Sequence, residues 1–411
     1  VNLNYYKYLD DMFELLRHAR KNLPLAKRAL LMRVYITLHH FAPIKAVDEC
    51  DIVLKKLKQY KMVDDRPFCL SIMELKAHAL MNAGLYPDGE ILLKEIQAGW
   101  LCNKEILSDE TLFDLYDRLA AVYRAFNLID LSKTYNTLSI TLADKLDDNR
   151  LRALAYRTKF KITLYPNMDL SSESLRKSIE ATALMPSKRI ETDNSLDVCA
   201  LEILSNSTVH QDKLILKLNS MLQDIEANNL HRAQIHCFFL LAICNLLKSE
   251  EKATLLAKEY VDRAINLSTS YGIVGYLWRL YNLQAIIGIR MGFDSQHIYK
   301  IFFTVFDILK KQGLLYIGNR DACEGNILAL SNIGYYLQER KFESQFYQTM
   351  SLVTFAGQEY SAYPNQNLSD NPVNTFLVQQ YAKARKREIL FAQNTPPNLL
   401  WDTQTRYLLI L

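Results

Sequence analysis

Apolar residues recur at three- and four-residue spacing along almost the whole chain, and strict alternation is nearly absent, so the pattern predicts a train of amphipathic helices. Breaks in it fall at Pro43, Pro67, the Pro87-Asp88-Gly89 turn, Ser108-Asp109, Asp147-Asp148-Asn149, Pro166-Asn167, Pro186, Ser249-Glu250, Gly272, Gly292-Phe293-Asp294 and Gly318-Asn319, each readable as a helix end or an N-cap. Taken in pairs, first helices are expected to start near residues 27, 68, 109, 150, 194, 231, 274 and 321, an interval of roughly 40 residues. One hairpin cannot bury both of its apolar faces until neighbours stack on it, so this period predicts an all-α fold, an α-solenoid of about eight stacked helix hairpins. Residues 1–26 are expected to form an N-terminal capping helix and 27–356 the repeats. Residues 357–411 are expected to supply a polar loop, a C-terminal capping helix over about 373–391, and a short β-hairpin in the final LLWDTQTRYLLIL.

Several units carry a more specific pattern. Residues 72–96, IMELKAHALMNAGLYPDGEILLKEI, resemble the tetratricopeptide repeat: Ala77 stands at the small position, Leu80 three later, Gly84 at the turn, Tyr86 after it, and Gly89 where the second helix must come close. Residues 332–350 repeat the pattern with Ile333-Gly334, Leu337 and Phe342, and residues 115–142 fit more loosely through Leu119-Ala120, Tyr123 and Leu131. The resemblance implies a right-handed solenoid. The units are longer than the tetratricopeptide standard and mostly lack its first-helix Trp and its closing Pro. In this they are similar to the sensor or repeat regions of bacterial multidomain signalling ATPases and regulators, which implies a nucleotide-binding or effector domain elsewhere in the same polypeptide.

Composition narrows the class. With 12 Gly and 10 Pro in 411 residues, turn-rich β architectures and glycine-cradled nucleotide folds are disfavoured. Apolar residues at 49% supply a large core. A net charge of +4 is too dilute to argue for nucleic acid or an anionic membrane, and the longest apolar stretch, Ile235 to Leu247, is too short to cross a bilayer. Seven cysteines, an odd count without a CxxC pair, read as buried thiols in a reducing compartment, so a cytoplasmic location is expected; Cys237 and Cys244 share a helix face in the most apolar segment.

The search for chemistry is negative. The G-x-x-x-x-G spacings at Gly84/Gly89 and Gly313/Gly318 are followed by Glu90-Ile91 and Asn319-Arg320 where a phosphate loop needs Lys and Ser/Thr. There is no HExxH, His231 and His236 do not face one ligand, and no nucleophile elbow occurs. Arg320, Asp321 and Glu324 read as a capped helix start, and Lys383, Arg385, Lys386 and Arg387 as a solvated face. No catalytic residue, metal site or cofactor is therefore expected.

The repeat resemblance places concave-wall side chains on the first helices: Glu74, His78 and Asn82, then Asp117 and Arg124, and near the end Tyr335 and Gln338. Periodicity adds Arg152, Tyr156 and Lys159. Mixed charge along such a wall suits a protein or peptide better than a polyanion. The expected function is a non-enzymatic scaffold or sensor module in signalling, transcription regulation or defence. The alternative is a self-contained cytosolic receptor for a small ligand or short signalling peptide.

Overall fold

The computed structural model describes residues 23–312, apart from short interruptions such as 60–65 and 206–210. Tyr335, Gln338, the terminal hairpin and most of the expected N-terminal cap lie outside the described residues. Within them the chain forms helix pairs: α1 (Leu23–Ile36) with α2 (Pro43–Gln59), α3 (Arg66–Ala83) with α4 (Tyr86–Cys102), and α5 (Asp109–Ala125) with α6 (Ile129–Lys145). There follow α7 (Asn149–Thr163) with α8 (Met168–Ala183), α9 (Lys188–Ser205) with α10 (Gln211–Ala227), and α11 (His231–Leu246) with α12 (Glu251–Tyr271). A 3-10 turn, Val274–Tyr276, leads into α13 (Leu277–Arg290). No strand occurs among the described residues.

Each helix packs on the next, and the odd-numbered helices also pack on the next odd-numbered one, whereas the even-numbered ones make at most slight contact with one another. The architecture is thus an α-solenoid with α1, α3, α5, α7, α9, α11 and α13 as its inner wall. No helix among the described residues is long and apolar enough to cross a membrane.

Local chemistry sets the helix ends. The carboxylate of Asp148 accepts from the backbone N–H groups of Arg150 and Leu151 at 2.7 and 3.1 Å, opening α7 with two otherwise unsatisfied donors engaged. The Ser108 hydroxyl does the same for Thr111 at the start of α5. The turn of the α3–α4 hairpin falls at Gly84, whose φ of 83° only glycine adopts readily, and Pro87-Asp88-Gly89 lies one step later, in the first turn of α4. A side chain at Gly89 would sit 3.1 Å from Met81 Cγ, so the missing Cβ lets α4 lie against α3.

The core follows the inner and hairpin-facing rows. From Ile235 to Leu247 only His236 escapes burial; α11 is apolar almost all round and runs through the middle of the molecule. Between α5 and α9 small polar residues replace bulk at the crossings. Ser132, Asn136, Ser171 and Ser178 are buried and donate to the carbonyls of Ala120, Ala155, Phe160 and Ala153. Helices can approach closely there because a hydroxyl or amide occupies the space of a methyl group and satisfies a carbonyl as well.

The solenoid curls until it meets itself. Ala77, Leu93 and Ile96 from α3 and α4 share one hydrophobic cluster with Ile273 and Leu277. Arg232 Nη1 on α11 donates to Asn82 Oδ1 on α3 at 2.6 Å. A Cβ on Gly84 would lie 3.0 Å from the backbone of Gly275. The inner wall from α3 to α11 therefore closes on itself around an interior, the channel, whose lining side chains Glu74, Arg118, Arg157, Asp193 and Asp197 are largely out of contact with solvent.

Candidate functional site

Five consecutive inner helices turn ionisable side chains toward that channel, each at four-residue spacing, which keeps them on one helical face. α3 supplies Glu74, His78 and Asn82; α5 supplies Asp114 and Arg118; α7, Arg157 and Lys161; α9, Arg189, Asp193 and Asp197; α11, Arg232 and His236. From hairpin to hairpin the positions repeat: His78, Arg118, Arg157, Asp197, His236 and Tyr276 follow one another at roughly 40-residue steps.

Arg157 lies at the centre. Its Nη1 reaches Asp193 Oδ2 and its Nε reaches Asp197 Oδ2, both at 2.6 Å, while the three side chains keep only 16%, 16% and 4% of their surface in contact with solvent. Burial works against all three charges, but the two carboxylates hold the guanidinium above its ordinary pKa, and the cations around them pull Asp193 down to about 2 and lower Asp197. On the neighbouring wall Arg118 pairs with Glu74 and points Nη2 at His78 Nδ1, 3.0 Å away. A guanidinium has no lone pair to offer, so His78 Nδ1 is the acceptor and the ring is neutral with its proton on Nε2. Burial, then Arg189 and Arg232, push this ring down to about 3.

The remaining groups show what this enclosure costs. Lys161 is lowered to about 7 by burial and by Arg157, and His236 to about 4 by burial despite Asp197 nearby. Asp114 is raised to about 6 and Asp117 to about 7, in both cases by burial first. One carboxylate oxygen of Asp117 is buried without a hydrogen-bond partner among the described residues.

At one end of the channel the wall opens into a cavity of about 40 Å³, lined by Asn82, Arg189, Asp193, His231 and Arg232 with Leu38, Pro43, Leu230, Ala233 and Ile273. His231 stacks on Tyr271 with ring centroids 3.8 Å apart. Among the described residues no group of three or more His, Cys, Asp and Glu side chains is arranged to hold a metal ion. Cys237 and Cys244 are buried in the core, where burial raises the thiol of each well above its ordinary value.

Of the side chains expected from the sequence, Glu74, His78 and Asn82 face the channel, and Asp117 lies beside it against α7. Arg124 stands two turns after Asp117 in the last turn of α5. The three expected on α7 lie elsewhere. Arg152 is tied to Asp144 and Asp147 at the α6–α7 turn, Tyr156 sits beneath the ammonium of Lys177 from α8, and Lys159 is about 200° around the helix from Arg157. Arg118, Arg157, Lys161, Asp193 and Asp197 carry no motif, and His236 enters the sequence reading only beside His231, although Arg118, Arg157, Asp197 and His236 recur with the repeat period when the hairpins are aligned.

No family model and no curated protein matches the chain. Among solved structures it is similar to the crystal structure of a Rap protein complexed with competence and sporulation factor. The two share 10% sequence identity with a TM-score of 0.45, over 89% of this chain and 98% of that one.

Proposed function

We propose that the chain is a binding module without catalytic activity of its own, whose inner channel receives a segment of peptide or protein. The observation that carries this reading is the row of charged and amide side chains set at one position of five successive inner helices. Burying ion pairs is a poor way to gain stability, since apolar residues of similar volume usually serve as well or better. A chain that spends its innermost surface on Glu74, Arg118, Arg157, Asp193 and Asp197 has a recognition surface there, with donors and acceptors of both signs spaced along it. The resemblance of its repeats supports a place in signalling, transcription regulation or defence, and the unpaired thiols among the described residues support a cytoplasmic one.

The test is retention of a pooled decapeptide library on the immobilised chain. Asp197→Asn, inside the channel, should lower retention at least fivefold, whereas Glu202→Ala, on the exposed side of the same helix, should leave it unchanged. Equal retention by both variants sinks the channel reading.

A second reading, a receptor for a small ligand, is favoured by the size of the mouth cavity, which holds a small group and not a folded partner. A thermal-shift screen separates the two, because a small molecule that binds only the folded form must raise the melting temperature.

A further inference from the structure

We propose that Lys161 is a carbon dioxide site, where its side-chain amine is converted to a carbamate inside the closed wall. The proposal goes beyond the peptide-binding reading and does not depend on it. Lys161 lies one turn after Arg157 on the inner face of α7. Asp193 and Asp197 face it from α9, Arg232 and His236 from α11, and Asp117 from α5. Both α9 carboxylates hold Arg157 instead. Lys161 itself forms no hydrogen bond or ion pair with any described residue. Two further groups in the same space are incompletely used. Arg157 spends Nε and Nη1 on the aspartates and leaves Nη2 without a hydrogen bond among the described residues. Asp117 accepts from the Thr158 hydroxyl, three residues before Lys161, and leaves one buried oxygen without a partner there.

A lysine that is neutral is a nucleophile. An ordinary one is neutral in about one molecule in a thousand at pH 7.4. Burial, then Arg157, lowers Lys161 to about 7, and burial raises Asp117 to about 7, so above neutrality the free amine and the free carboxylate coexist. The amine lone pair attacks the carbon of CO2, and the C–N bond forms as one C=O electron pair moves to oxygen. The nitrogen then releases a proton to the unbonded oxygen of Asp117, which leaves an anionic carbamate on Lys161 and a neutral carboxyl group on Asp117. Arg157 Nη2 and the new Asp117 hydroxyl are donors for the carbamate oxygens. Asp193 and Asp197 oppose another anion while Arg157 and Arg232 favour it, so these hydrogen bonds decide the balance. Size selects CO2 among electrophiles. The lining side chains are largely out of contact with solvent, which admits a small neutral molecule and not a bulky or charged aldehyde.

The test uses the full chain in buffer equilibrated with carbon-13 CO2 and bicarbonate at pH 8. Carbon NMR should show a carbamate carbonyl resonance in the natural chain, keep it in Lys133→Met, an exposed site on α6, and lose it in Lys161→Met. The fold of K161M is checked by its melting temperature in CO2-free buffer. Trapping the natural chain with a trialkyloxonium salt, which esterifies a carbamate, should place the ester on the Lys161 peptide by mass spectrometry. The trap needs no substitution, so it decides the matter even where K161M fails to fold. No ester on Lys161, or an undiminished resonance in folded K161M, overturns the site. So does an ester confined to the α-amino group, an amine that is partly neutral at this pH in any chain.

Discussion

Asp117 occupies a place where a carboxylate is expensive. It packs between α5 and α7, one oxygen has no partner among the described residues, and burial raises its pKa from 3.8 to about 7. Between those two values the unfolded chain has released the proton and the folded chain retains it, so stability falls as pH rises across that window and levels off above it. Glu49, raised from 4.5 to about 8 by burial, acts in the same sense. Asp117→Asn should therefore remove part of the decline between pH 4 and 7 and melt higher than the natural chain at pH 8; a parallel pair of melting curves across that range would refute the assignment. Asp193 and Asp197 behave oppositely because each has a nitrogen of the Arg157 guanidinium 2.6 Å away. Arg157 also shows why sequence reasoning stopped short. On α3 the resemblance to a known repeat points to Glu74, His78 and Asn82, which share one helical face at four-residue spacing. On α7 there is no such guide, and periodicity alone points to Arg152, Tyr156 and Lys159 as wall residues. A charged side chain that faces enclosed space and one that faces bulk water look alike in a sequence.

At the scale of helices the punctuation carried most of the information. Pro43 opens α2, Asp148 caps α7 and Gly84 closes α3, each through a backbone requirement that few residues meet. The start of α9 was expected near 194 and falls at Lys188. The missed residues, KRIETDN, have no apolar row because Arg189 and Asp193 line the channel and Thr192 and Asn194 fill a tight crossing. That crossing gives an element-level prediction. Ser178 of α8 is fully buried, with its hydroxyl 2.8 Å from the Ala153 carbonyl and 3.1 Å from Asn194 Oδ1. Ser178→Ala should cost about 1 kcal/mol, one neutral hydrogen bond. Ser178→Leu should cost about 3 kcal/mol by forcing α7, α8 and α9 apart. Urea unfolding distinguishes them, and equal midpoints would mean that the helices are not in close contact there.

The whole molecule depends on its closure. Gly84 has a φ of 83° and stands where a Cβ would meet the Gly275 backbone at 3.0 Å, and beside it Gln312 Nε2 donates to the Val274 carbonyl at 2.8 Å. Gly84→Ala should destabilise the protein by about 2 kcal/mol through the strained turn and also part the two ends of the wall, measurable as a larger radius of gyration by small-angle scattering. A lower melting temperature with an unchanged radius would confine the damage to the hairpin. This contact follows from the curl of the five hairpins from α3 to α12, each adding a small rotation, and no local pattern in the sequence announces it. Its consequence is mechanical. An open solenoid flexes like a spring, each hairpin moving on its neighbours alone, whereas here the contacts of Asn82 with Arg232 and of Gly84 with Gly275 tie the second hairpin to the sixth, so that neither moves without straining them.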